Sequence, residues 1–197
     1  MFLPMIAGSI GFLLFLIYDI NSFTANKRLP GTFFFAGTAL IAVSTVCSLT
    51  AAFRAGAFSG IADILLMIAG AVSLAALIYS LFFALPFEGT YLSPDSKRHV
   101  YDRGVYALCR HPGVLFFFAA YLFTGLAALP SPFLVSGMLF SVLNVLYVCF
   151  QDRITFPRTF CDYEEYRHRV PFLIPTAASI RLMCRTMRHT TRKEDSK

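Results

Sequence analysis

Four apolar stretches, at about 1–20, 31–53, 60–86 and 113–150, most constrain what this chain can fold into. Crossing about 30 Å of hydrocarbon takes roughly 20 apolar residues in a helix. The last stretch is too long for one crossing, and Leu129-Pro130-Ser131-Pro132 punctuates its middle. Prolines so close together cannot continue a helix without losing backbone hydrogen bonds, so the stretch reads as a hairpin of two spans, 113–129 and 132–150. The expected fold is an all-α integral membrane protein with five transmembrane helices, the last two forming a C-terminal hairpin. With 57% of its 197 residues hydrophobic, the chain is too apolar for an ordinary soluble domain. Its organisation reads as three N-terminal spans (1–86), a loop, hairpin and C-terminal catalytic segment (87–175), and a basic interfacial or disordered tail (176–197).

Charge sets the expected orientation. With five spans, segments 21–30, 87–112 and 151–197 share one side, and of 17 Lys and Arg residues only Arg54 falls on the other. The positive-inside rule then places the N-terminus outside and the C-terminus in the cytoplasm, with a bacterial cytoplasmic membrane the expected location. A basic tail beside anionic lipid accounts for the net charge of +6 without nucleic acid. Residues 1–20 lack a basic leader, and Asp19 stands where a cleavage site would need small residues, so an uncleaved span is expected. Asp19 and Asp63 lie near span ends, within reach of headgroups or water. In the third span the small residues Ala69, Gly70 and Ala71 allow close helix approach. The five cysteines include no CxxC pair, and free thiols are expected on the reducing side.

Familiar catalytic devices are missing from the sequence. It has no GxGxxG, no GxxxxGK[ST], no HExxH, no Gly-x-Ser-x-Gly and no cysteine cluster that would call for zinc. Polar residues gather instead at the two ends of the hairpin. Arg110-His111-Pro112 opens the fourth span, where proline suits a first helical turn and the free N–H groups form a natural carboxylate or phosphate site. Arg110 there also reads as a simple interfacial anchor. Asp152 follows the fifth span, and the short 129–132 turn is expected to return it to the level of His111. Its carboxylate could bind an ammonium or offset a sulfonium, or pair at the surface with Arg153 or Arg110. Tyr163 and Tyr166, three apart, could stack on a substrate ring or face a cation. In the tail, Arg181, Arg185, Arg188 and Arg192 recur at helical spacing beside Ile180, Leu182, Met183 and Met187, the pattern of an interfacial helix.

The ordered series Gly104-x-Tyr106, Arg110-His111-Pro112, a helical hairpin, an acidic residue, Tyr163-x-x-Tyr166 and Val170-Pro171-x-x-x-Pro175 resembles the isoprenylcysteine carboxyl methyltransferase family, whose relatives include phospholipid N-methyltransferases. The resemblance covers roughly residues 90–175. It implies S-adenosylmethionine as cofactor, held on the cytosolic side by Arg98, His99, Val100, Tyr101, Tyr106, His111, Pro112, Gly113, Val114 and Asp152. His111 and Asp152 would be the catalytic pair, and Arg110, Tyr163 and Tyr166 would face the substrate. That substrate would be lipophilic or lipidated, entering sideways from the bilayer with its polar end toward the methyl group. The family usually carries a larger residue where this chain has Gly113-Val114, and a Glu-Glu pair where it has Gln151-Asp152. Two other readings fit the same hairpin: an NADPH-dependent membrane reductase of the sterol type, and a non-catalytic membrane scaffold.

Overall fold

The computed structural model describes residues 2–24, 32–84 and 98–194, without the side chains of Phe23 and of 188–194. Expectations that rest on Lys27, Arg28, Gly89, Pro94 and Lys97, and on the side chains of Arg188 and Arg192, lie outside the described residues. The described residues are mostly helical, with no strand among them. Its elements are α1 (Phe2–Thr24), α2 (Phe33–Arg54), α3 (Ile61–Ile78, continued by a π-helical turn Tyr79–Phe83), α4 (Val105–Leu108), α5 (Pro112–Ala127), α6 (Phe133–Phe150, continued by a π-helical turn Gln151–Thr155), α7 (Phe156–Thr159), α8 (Tyr163–Arg169) and α9 (Ala177–Glu194). Among the described residues, four helical stretches are long and apolar enough to cross a membrane: Phe2–Ser22, Phe33–Arg54, Ile61–Phe83 and Phe133–Thr159. Helix α5, with 16 residues, is a shorter apolar helix.

The chain forms two compact units. Residues 1–74 and 117–155 make the first. Helices α1 and α2 approach closely at a glycine pair: a Cβ on Gly11 would stand 2.7 Å from the Gly37 carbonyl oxygen, and one on Gly37 would meet Gly11 in the same way. Without a hydrophobic driving force between helices in lipid, such close backbone contact supplies the packing. Gly70 repeats the device in α3, beneath Thr124, while its neighbour Ala71 is exposed. The core is aromatic. Phe12, Tyr121, Phe133 and Phe140 are buried together, with Tyr121 edge-on to Phe140 at 5.9 Å and stacked on Phe133 at 5.8 Å. The Tyr121 hydroxyl hydrogen-bonds Thr45. Outward from this core, side chains such as Leu3, Phe35 and Leu65 are exposed, which suits a helical surface solvated by lipid.

Two expectations about this unit change. Asp19 does not reach toward headgroups: it is 4% exposed, accepts a 3.4 Å hydrogen bond from Thr155 and is also bonded by Tyr147 and Gln151. A carboxylate buried among apolar helices needs such partners, and the chain finds them more than 120 residues away, at a separation of 136 for Thr155. Helix α6 also does not stop before Gln151. It runs on through the π-helical turn, so Asp152 sits buried within a helix rather than after one. Asp63 keeps a local task, since its carboxylate accepts the Gly60 N–H at 2.9 Å and caps the start of α3.

Residues 75–116 and 156–197 make the second unit. Its small core is Tyr163, Tyr166 and Val170, packed with Val100, Phe156 and Phe160. A parallel bridge between Arg98 and Phe160 joins its two chain segments, reinforced by the Cys161 N–H donating to the Arg98 carbonyl at 3.0 Å. Helix α9 begins with a reciprocal cap: Thr176 N–H donates to Ser179 Oγ at 2.9 Å, and Ser179 N–H to Thr176 Oγ1 at 3.2 Å. The tail is thus helical through Glu194, and Ile180, Leu182 and Met187 are exposed on it beside Arg181 and Arg185.

Candidate functional site

The second unit gathers most of the residues singled out from the sequence. Gly104 turns the chain into α4 with φ 58° and ψ −133°, a conformation open essentially to glycine alone. Its N–H donates to Thr186 Oγ1 at 3.1 Å. Tyr106 then anchors α4 twice. Its hydroxyl donates to the Ser80 carbonyl at 2.8 Å, and its own carbonyl accepts the Tyr166 hydroxyl at 2.7 Å. The π-helical turn after α3, closed by Ala84 N–H on the Tyr79 carbonyl at 2.9 Å, presents that Ser80 oxygen. Tyr101 lies edge-on to Tyr106 with centroids 6.4 Å apart.

Arg110 and His111 follow. The Arg110 guanidinium donates to the Arg167 and Val170 carbonyls at 3.0 and 2.9 Å, at the C-terminal end of α8, where a cation complements the helix dipole. Its backbone N–H donates to the Pro171 carbonyl at 2.9 Å, and its head lies 5.6 Å from the Phe172 ring centre. His111 is 7% exposed. Its imidazole stacks on Phe156 at 5.7 Å, nearly parallel, and meets Phe172 edge-on at 5.2 Å. Pro112 starts α5 behind it, fully buried, with Gly113 half-buried and Val114 buried. A Cβ on Gly113 would meet Leu77, Ser80 and Leu81 at ordinary contact distances of 3.5–3.6 Å.

The remaining candidates take other places. Tyr163 and Tyr166 are 2% and 3% exposed, so their rings belong to the packed core and not to a surface facing substrate. Desolvation on burial pushes the Tyr166 phenol well above its ordinary value. Arg98 and His99 are exposed, and Val100 packs on the core. Asp152 belongs to the first unit; its neighbour Gln151 donates to Tyr147 at 2.9 Å and bonds Asp19. In the second unit, Cys109 is wholly buried, and burial pushes its thiol up to about 11, which keeps it protonated and inert at neutral pH.

Two groupings had no signal in the sequence. The aromatic walls around His111 come from Phe156 and Phe172, which carry no spacing cue relative to it. His99, Cys161 and Asp162 place their ligand atoms within 4.8 Å of one another, across a separation of 62 residues that no short motif could reveal. A recess of about 280 Å³ in the first unit, lined by Ala51, Ala55, Ala57, Pro130, Ser131 and Pro132, carries no ionisable group and offers no chemistry. No protein-family model, no curated protein and no solved structure matches the chain.

Proposed function

We propose that the protein is an integral membrane methyltransferase that uses S-adenosylmethionine to methylate the polar end of a lipophilic substrate at the cytosolic face. The observation that supports this most is His111, an ionisable side chain held at the head of an apolar helix between two aromatic rings. The residues fit a sulfonium-bearing cofactor in kind, since aromatic faces favour a cation. When bound, S-adenosylmethionine would supply an electrophilic methyl group. Arg98, His99, Val100, Tyr101, Tyr106, His111, Pro112, Gly113 and Val114 would hold it.

The work left to the protein is placement and drying. Reacting atoms must stand roughly 3–3.5 Å apart, with water excluded. Phe156, Phe172 and the buried Pro112 exclude water around His111. For an amine substrate the imidazole would accept the departing proton; a carboxylate substrate would need no base. In this reading α5 completes five crossings, with the N-terminus outside. At 16 residues it extends about 24 Å, short of the average hydrocarbon thickness.

Titration calorimetry of the detergent-purified protein with S-adenosylmethionine, with NADPH in parallel, tests the reading. Micromolar binding of the first alone is expected, reduced by His111→Ala more than by Cys109→Ala. NADPH binding alone would replace the proposal with the reductase reading. Binding of neither would favour the scaffold, which the engagement of Arg110 by two carbonyls and the burial of both tyrosines also favour.

A further inference from the structure

Asp162 occupies the N-cap position of α8, yet its side chain makes no capping hydrogen bond. An N-cap aspartate ordinarily accepts a backbone N–H of the first turn, a contact worth about 1 kcal/mol. Here the carboxylate turns the other way. Oδ1 accepts the Val100 N–H at 2.9 Å, and Oδ2 stands 3.1 Å from His99 Nδ1. Cys161 Sγ lies 3.5 Å from the same nitrogen. The backbone fixes this convergence through the Arg98–Phe160 bridge and the bond from Cys161 N–H to the Arg98 carbonyl. An exposed His–Asp ion pair would itself stabilise little and would not require the thiol.

Two of the three ligand separations match a metal's coordination shell, and the third, from sulfur to carboxylate oxygen, lies within 4.8 Å. Tetrahedral zinc, with its usual bond lengths to nitrogen, oxygen and sulfur, separates N from O by about 3.3 Å and S from N by about 3.6 Å. The observed separations are 3.1 and 3.5 Å. We propose that His99, Cys161 and Asp162 form a three-ligand site for a zinc-class divalent cation, with a fourth position open to water or a ligand. Thiolate and imidazole select zinc-like over magnesium-like cations. Thiolate and carboxylate together neutralise the dication, and the thiol proton leaves to solvent on binding. The hydrogen bond from Val100 N–H orients the carboxylate from outside, as supporting contacts do at metal sites. The site does not depend on the methyltransferase reading, although it engages the His99 side chain that this reading also uses.

The test is chelator-stripped full-length protein in detergent, titrated with Zn²⁺ against a chromogenic competitor. One equivalent is expected to bind, and Co²⁺ in its place to give a thiolate charge-transfer band. His99→Ala and Cys161→Ser should each weaken binding roughly tenfold or more, whereas Cys184→Ser, at another exposed thiol, should leave it unchanged. Helical circular dichroism separates metal loss from unfolding in the variants. In the unaltered protein, Zn²⁺ should also protect Cys161 from maleimide while Cys184 stays reactive. Absence of stoichiometric binding, wild-type affinity in Cys161→Ser, or no protection of Cys161 would overturn the proposal. S-adenosylmethionine titration of the same preparation reports separately on the methyltransferase reading.

Discussion

Arg110 illustrates how one side chain can satisfy several backbone groups at once. It binds two carbonyls that end α8 and covers the Phe172 ring. Hydrogen bonds from charged donors are worth about 1.5–3 kcal/mol, so Arg110→Ala should lower stability by about that amount. Arg110→Lys should recover only part of it, since an ammonium lacks the planar fork; denaturation in detergent measures both. Gly104→Ala poses a different test. A Cβ there meets nothing within 4 Å, but φ is 58°, so a loss of about 1–3 kcal/mol would be backbone strain alone. Cys109 gives a pH signature. Its thiol rises from an ordinary 9.0 to about 11 through burial, so the folded chain keeps a proton that the unfolded chain releases. The corresponding stability is complete below about pH 9 and lost as pH rises toward about 11. A comparison of alkaline unfolding with that of Cys109→Ala isolates this contribution, and maleimide should label Cys184 but not Cys109 at neutral pH.

At the scale of elements, glycine contacts decide how closely the helices of the first unit approach. Gly11→Ala or Gly37→Ala would put a methyl 2.7 Å from backbone oxygen, which cannot swing away. Each should destabilise by about 1–3 kcal/mol, the usual cost of overpacking. Gly113→Ala meets only side-chain atoms at 3.5 Å or beyond and should be tolerated by comparison; a denaturant series in detergent ranks all three. The hairpin break at Leu129-Pro130-Ser131-Pro132 was legible from residue type, because proline's effect on a helix is local. The cap of α9 by Thr176 and Ser179 is equally local. The continuation of α6 through Gln151–Thr155 was not legible, since the onset of polar residues resembles a span end. Polar side chains there are held by distant partners such as Asp19.

For the whole molecule, the bias of 17 basic residues carries the orientation part of the proposal. In sealed inverted membranes, protease should remove the segment after Pro175; protection of that tail would reverse the topology. Truncation after Pro175 should also weaken binding to anionic vesicles, since each basic residue near such a surface contributes about 1 kcal/mol. Vesicle flotation at low and high salt measures this. Unchanged flotation would remove the interfacial role of α9.

The sequence by itself determined the helical class, the places where apolar helices run and the break between α5 and α6. Hydrophobic length and proline act within one stretch of chain and need no partner to be read. Tertiary structure alone decided that Asp19 is buried among Tyr147, Gln151 and Thr155. It also decided that Tyr163 and Tyr166 are core, and that His111 lies between Phe156 and Phe172. Only folding could bring His99 beside Cys161 and Asp162. Those neighbours lie tens of residues away along the chain, and pairing at such distances leaves no periodicity for a sequence to display.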